Sequence, residues 1–287
     1  MKFFDFGDRQ KSEETIYRTW IDLRDSLKNK EFSYKDIDKA KSITFLRVFD
    51  SLFNQHSGFR YITKQIKDIN RGIGRGTKLS PDEKVNFERF IPKKEYITHD
   101  NRFSPEGIEW LYLALDTDVA AIEVSKREIH THLGDRFGFC SFAFDNKNLE
   151  NQIVDLTVAD DISYDIINSN LEYYVQVISN QEIIKALFTI ELPEKGNILK
   201  KEKFEQIFIR WTIYTYCKLL SEQIFLPLAT DDKNIEYAPF HLIAQYFISM
   251  GYSGIIYKST VCDKGKNIVL FNKEYAHPQG DIIDIIL

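Results

Sequence analysis

The sequence predicts an α+β protein, with a mixed, mostly antiparallel β-sheet core flanked by helices. Three observations carry this. Apolar residues recur at helical spacing near both ends of the chain. Short β-branched and aromatic runs lie between and after those stretches. The strands and helices alternate without the regular rhythm of a doubly wound sheet.

Taken in order, Glu13 to Lys30 reads as a helix, because Ile16, Trp20, Leu23 and Leu27 fall at spacings of four, three and four. A second short helix is expected through Tyr34–Ala40. The run ITFLRVF, from Ile43 to Phe49, reads as a strand with Arg47 in its middle. The RGIGRG stretch with glycines 72, 74 and 76 reads as a basic, mobile surface loop. It lacks the preceding strand and following helix of a dinucleotide fingerprint. Leu111–Leu115 reads as a short strand, and Thr117 as the cap of a helix running through Glu123. Phe137–Phe144 and Gln152–Leu156 read as further strands. Phe204, Ile207, Phe208, Trp211 and Tyr214 form one face of a long helix ending near Pro227. Pro239 is expected in the first turn of the next helix, where its missing N–H is harmless. Gly251 should end that helix with a positive φ. Two strands joined by a Lys264–Gly265 turn, Gly254–Tyr257 and Asn267–Phe271, complete the reading.

The 287 residues carry a formal net charge of −5, with 43% hydrophobic and 28% charged residues. This is a globular balance, and it argues against a surface that wraps nucleic acid, which needs a basic excess. The three cysteines, Cys140, Cys217 and Cys262, form no CxxC pair. A disulfide framework is not expected. The first residues, MKFFDFGDRQKSEE, have no apolar core of a secretory signal. No apolar run approaches membrane-spanning length. The expected setting is therefore the cytoplasm, with no membrane contact.

The densest concentration of chemistry is Asn101 to Val124. Arg102, Tyr112 and Glu123 are spaced 10 and 11 residues apart on a turn, a strand and a helix. A fixed cation, an aromatic face and a carboxylate so arranged can grip an anionic, ring-bearing ligand. Each also has an ordinary reading: a solvated arginine, a core tyrosine and an exposed helix glutamate. Ser259 lies in YKST without a GxSxG elbow, so it reads as a positioning group or a hairpin cap, not as a nucleophile. His130 and His132 lack further ligands at metal-binding spacing. His241, beside Tyr237, is a candidate ligand contact or a satisfied helix histidine.

Asn101–Val124 resembles the central motif of the RES-domain family, named for its Arg, Glu and Ser. That motif runs from an arginine–aromatic pair through a Pro/Gly turn and an "LY" strand to a helical Glu-Val. The C-terminal blocks of the family are matched as well, by Tyr237-Ala-Pro-Phe-His, GYSGIIYKST (Gly251–Thr260) and GKNIVLF (Gly265–Phe271). IVDLT (Ile153–Thr157) resembles its middle strand and ITFLRVF its first. Asn101 and Ser104 depart from the glycine and asparagine often flanking the motif arginine.

The resemblance implies an ADP-ribosyltransferase-like fold over residues 41–287, with an insertion at about 50–100 and a helical N-terminal extension over 1–40. It implies a toxin-like enzyme that degrades NAD at the nicotinamide–ribose bond, as an NAD glycohydrolase or NAD phosphorylase. No metal and no bound cofactor are implied; NAD is the substrate, and inorganic phosphate a possible co-substrate. An Xre-type antitoxin protein is the implied partner, with no direct nucleic-acid binding. The catalytic set carried over is Glu123, Arg102, Tyr112 and Ser259; Arg47, Tyr237 and Asn267 are the substrate-binding set. Arg71 or Arg75 could replace Arg47 as the first family arginine. Nicotinamide is already a cationic leaving group, so Glu123 would act by stabilising the oxocarbenium character that builds on the ribose. Two other readings stand beside this one. The same cation could be captured by a macromolecule, giving ADP-ribosylation. Alternatively, the stripe of residues 1–40 could recruit a partner helix in a non-enzymatic binding module.

Overall fold

The computed structural model describes residues 9–55, 57–69, 72–116, 118–121, 134–167, 195–224, 233–262 and 264–286. Helix α1 (Arg9–Lys28) buries Ile16, Trp20, Leu23 and Leu27, so the apolar stripe predicted for it faces the interior of this chain. It packs against helix α5 (Lys233–Ser249), where Arg24 meets Glu236 at 2.9 Å and Trp20 stands edge-on to Phe240 at 4.8 Å. Helix α2 is one turn, Ile37–Ala40, capped by the Asp36 carboxylate.

The ITFLRVF run is not a strand. Thr44–Asp50 forms helix α3. Phe45, Leu46 and Phe49 are buried, while Arg47 lies on the exposed side. A short apolar run satisfies either period, and here the packing partners decide. Phe49 stacks on Phe53 at 4.3 Å and meets Tyr216, Tyr246 and Phe247, each at 5.8 Å between ring centres.

Eight strands form one sheet: β1 (Thr63–Gln65), β2 (Ile73–Leu79), β3 (Leu111–Ala114), β4 (Arg136–Phe144), β5 (Gln152–Asp155), β6 (Gly254–Lys258), β7 (Lys266–Leu270) and β8 (Ala276–Ile286). Their spatial order is β1-β5-β6-β7-β3-β2-β4-β8. Every neighbouring pair is antiparallel except β5–β6. This is the mixed, mostly antiparallel sheet expected.

The RGIGRG stretch corrects a second expectation. Residues 73–79 are not a surface loop but β2, paired along its whole length with β4. Glycine-rich, basic composition reads as a loop when no partner is visible. Its partner is the FGFCSFAF strand, and Gly76 sits opposite Phe139. Pro239 departs as well: it lies inside α5, not in its first turn. Gly251 ends the helix with φ of +86°, as expected. The edge strand β8 was not read from the sequence. It is held to β4 in part by the Arg136–Asp284 ion pair.

The sheet separates two cores. Val154, Ile255, Tyr257 and Val269 face α1, α3, α5 and the long helix α4 (Lys195–Gln223). Leu111, Leu113, Ile256 and Ile268 face the other way, toward Phe90 and Ile66. No described helix is long and apolar enough to cross a membrane.

Candidate functional site

The sheet opens at its middle. Among the described residues, Gly74–Ala114 is the single register pair between β2 and β3. Beyond it the two strands part, and a cavity of about 270 Å³ fills the gap. One wall is β2, from Gly74 to Lys78. The other is Trp110, Tyr112, Leu113 and Ala114 on and before β3. Tyr257, Asn267, Ala120, Asn101, Pro92 and Ile97 complete the lining. Asn267 lies in register with both Tyr257 and Ala114, which places it beside the point where the strands split. Splayed strands expose backbone N–H and C=O edges as well as side chains, the kind of lining that holds a polar ligand.

Arg75 and Lys78 bring two cations to the β2 wall. Lys78 Nζ also lies 3.1 Å from Asp135. Of the three arginines considered from sequence, Arg75 lines the cavity. Arg47 is exposed on α3, with its Nη2 3.4 Å from the Thr44 hydroxyl, and is absent from the cavity lining. Arg71 lies outside the described residues. The sequence signal for Arg75 was present in the alternation of GIGRGTK, which suits a strand, but the glycines outweighed it.

Tyr112 lines the cavity and has a second task. Its hydroxyl lies 3.0 Å from Ser104 Oγ and accepts the N–H of Phe103 at 3.3 Å. Its oxygen therefore ties β3 to the turn that carries Arg102. The Arg102 guanidinium lies over the rings of Phe240 at 5.3 Å and Tyr237 at 6.0 Å, contacts of cation–π type. Arg102 and Tyr237 thus meet each other and are not among the lining residues, whereas Asn101 is.

Ser259, at the end of β6, is 3% exposed. Its Oγ accepts the N–H groups of Val261 and Cys262 at 3.2 and 2.9 Å. Its own N–H donates to the Gly265 carbonyl at 2.8 Å. These bonds shape the turn between β6 and β7, the capping role foreseen beside the ligand role. The turn reaches the helical segment 118–121: a Cβ built on Gly265 would stand 3.0 Å from both Ser259 Cβ and Val119 Cγ1.

At the end of β3, Asp116 has φ of +153°, a value rare outside glycine. Its carboxylate accepts the N–H of Asp118 at 3.2 Å, and its carbonyl that of Ala120 at 3.1 Å. Asp116 thus holds the start of the helical segment 118–121, next to Thr117, whose expected capping role falls outside the described residues. Thr117, Glu123, His130 and His132 lie outside the described residues. Ala120, three positions before Glu123, lines the cavity.

Comparisons with protein-family models, with curated proteins and with solved structures find no match.

Proposed function

We propose that the split between β2 and β3 is the NAD site of a RES-type, toxin-like enzyme with an ADP-ribosyltransferase-like fold, which breaks the nicotinamide–ribose bond. One observation carries the reading: Arg75, Tyr112 and Asn267, from three different strands, all line one cavity between parted strands, Tyr112 and Asn267 from one face of the sheet and Arg75 from the other. They supply a bidentate cation for phosphate oxygens, an aromatic ring for stacking and an amide for ribose hydroxyls or the carboxamide. The cavity falls just below the range of about 300–1,000 Å³ usual for small-molecule sites. It suits one end of a dinucleotide, with the remainder along the outer rim.

The chemistry needs little from the protein. The C1′–N bond breaks with its electron pair going to nicotinamide, which leaves neutral. Positive charge builds on C1′ and the ring oxygen, and water or phosphate then adds to C1′ with loss of a proton. A carboxylate beside C1′ lowers that barrier, and the proposal gives this part to Glu123. Arg75 takes the place of Arg47 in the substrate-binding set, as a clamp on the pyrophosphate. An Xre-type antitoxin protein is the partner this reading implies.

The test is nicotinamide release from NAD, with and without inorganic phosphate, with the second product identified. Wild-type protein should release nicotinamide. Glu123→Ala should lower the rate by about 10²–10³-fold with an unchanged melting temperature. Folded wild-type protein that leaves NAD intact under both conditions refutes the proposal.

A further inference from the structure

The loop that carries Arg102 is gripped from behind by a residue that is not in the cavity lining. His241, on α5, is 3% exposed, and its Nε2 lies 3.0 Å from the carbonyl oxygen of Asn101. A carbonyl only accepts, so Nε2 carries a hydrogen and donates it. Burial lowers the imidazole pKa and favours a neutral ring, opposed in part by this hydrogen bond and by the Asp100 charge. The edge of the Tyr34 ring packs against it at 5.7 Å.

The neighbouring contacts give this bond a purpose. Phe240 precedes His241 on α5. It takes the Arg102 guanidinium on its face at 5.3 Å and meets the Phe103 ring edge-on at 5.7 Å. One short stretch of helix therefore holds three consecutive loop residues: Asn101 by its carbonyl, Arg102 by its charge and Phe103 by its ring. The first of these, Asn101, lines the cavity. On the other side the loop is tied to β3 through Tyr112 and Ser104.

We propose that His241 is a positioning residue. Its Nε2–H fixes the Asn101–Arg102 peptide and so sets where the Asn101 side chain and the Arg102 guanidinium stand relative to the cavity. The anchoring rests on geometry alone. Its consequence for substrate rests on the NAD-cleaving reading above.

Two substitutions separate the donor from the packing. His241→Leu keeps apolar volume and removes the donor. His241→Gln returns an N–H at comparable reach. Amide hydrogen exchange is measured by mass spectrometry on fragments spanning residues 97–106, with thermal melts as the check of fold and KM and kcat for nicotinamide release as the functional readout. In His241→Leu, exchange should quicken by about threefold to tenfold within 101–104 only, the range expected from one buried hydrogen bond. KM for NAD should rise by a similar factor with a smaller change in kcat. His241→Gln should restore both.

Wild-type exchange rates in His241→Leu overturn the proposal, as does a failure of Gln to restore them. Faster exchange across the whole chain, with both variants melting early, marks His241 as a general core residue and overturns it equally. Wild-type protein inert toward NAD refutes only the functional reading, since the exchange data still decide the anchoring.

Discussion

Replacing Tyr112 by phenylalanine removes one oxygen and leaves the ring in place. That oxygen lies 3.0 Å from Ser104 Oγ and 3.3 Å from the Phe103 nitrogen. Both partners belong to residues with 0% exposure. Groups so buried keep much of their desolvation cost when their partner is removed. A buried polar group left without its partner costs about 1–3 kcal/mol. The ring still fills its space, so no large cavity term is added. For domains of 150–250 residues each kcal/mol moves the midpoint by roughly 2–4 °C, so Tyr112→Phe should melt several degrees below wild type. Urea unfolding followed by circular dichroism gives the free energy directly, with an unchanged slope. Ser104→Ala and the double variant complete a cycle, in which the pair should couple by at least about 0.5 kcal/mol. A loss below about 0.5 kcal/mol with additive single effects would show that the hydroxyl does not hold the Arg102 turn.

Two further outcomes follow from the same geometry. Arg75→Ala should raise KM for NAD by about tenfold or more, the loss of one charge-assisted contact, while Arg47→Ala should change it little; equal effects in the two variants would move the site away from the β2–β3 gap. Asp160 supplies a pH dependence. Burial raises its carboxyl pKa above 3.8, offset in part by the Ser221 hydroxyl and by Lys266, Lys258 and Lys218. A raised folded-state value means that the stability belonging to the neutral acid is fully present below the unfolded pKa and is lost as pH rises through the folded one. Asp160→Asn should therefore gain melting temperature over wild type as pH increases from 4 to 8, and a gain independent of pH would contradict the assignment.

What the sequence made legible was wherever a single pattern had one physical meaning. The Ile16–Trp20–Leu23–Leu27 stripe admits a helix and nothing else, and it is buried in the same core as α3 and α5. Gly251 ends its helix because a left-handed residue is needed there. The alternating FGFCSFAF run became β4 for the same reason. Errors arose where the deciding interaction lies far along the chain. ITFLRVF carries rings at positions 45 and 49 that suit a helix face as well as a strand. It became α3 because Tyr216 and Phe247, some two hundred residues later, pack against those rings. RGIGRG carries its own loop signature, and only the register with β4 makes it a strand.

These two errors were coupled, and together they displaced the cation of the site. Reading residues 43–49 as the first strand put Arg47 on the sheet and left the 72–76 glycines outside it. With both corrected, the sheet gains a glycine-rich strand that pairs fully on one side and, beside β3, only at Gly74. β4 supplies the ladder along one edge of this strand, and parting from β3 leaves the N–H and C=O groups of the other edge facing the opening. The opening that results is the cavity, and Arg75 stands on its wall because it belongs to that strand. The same logic separates Arg102 from the lining. Its turn is held between Tyr112 on β3 and the Phe240–His241 stretch of α5. A ligand entering the gap would meet Arg75, Tyr112 and Asn267 first, while Arg102 sits on a loop held by Tyr112, Phe240 and His241.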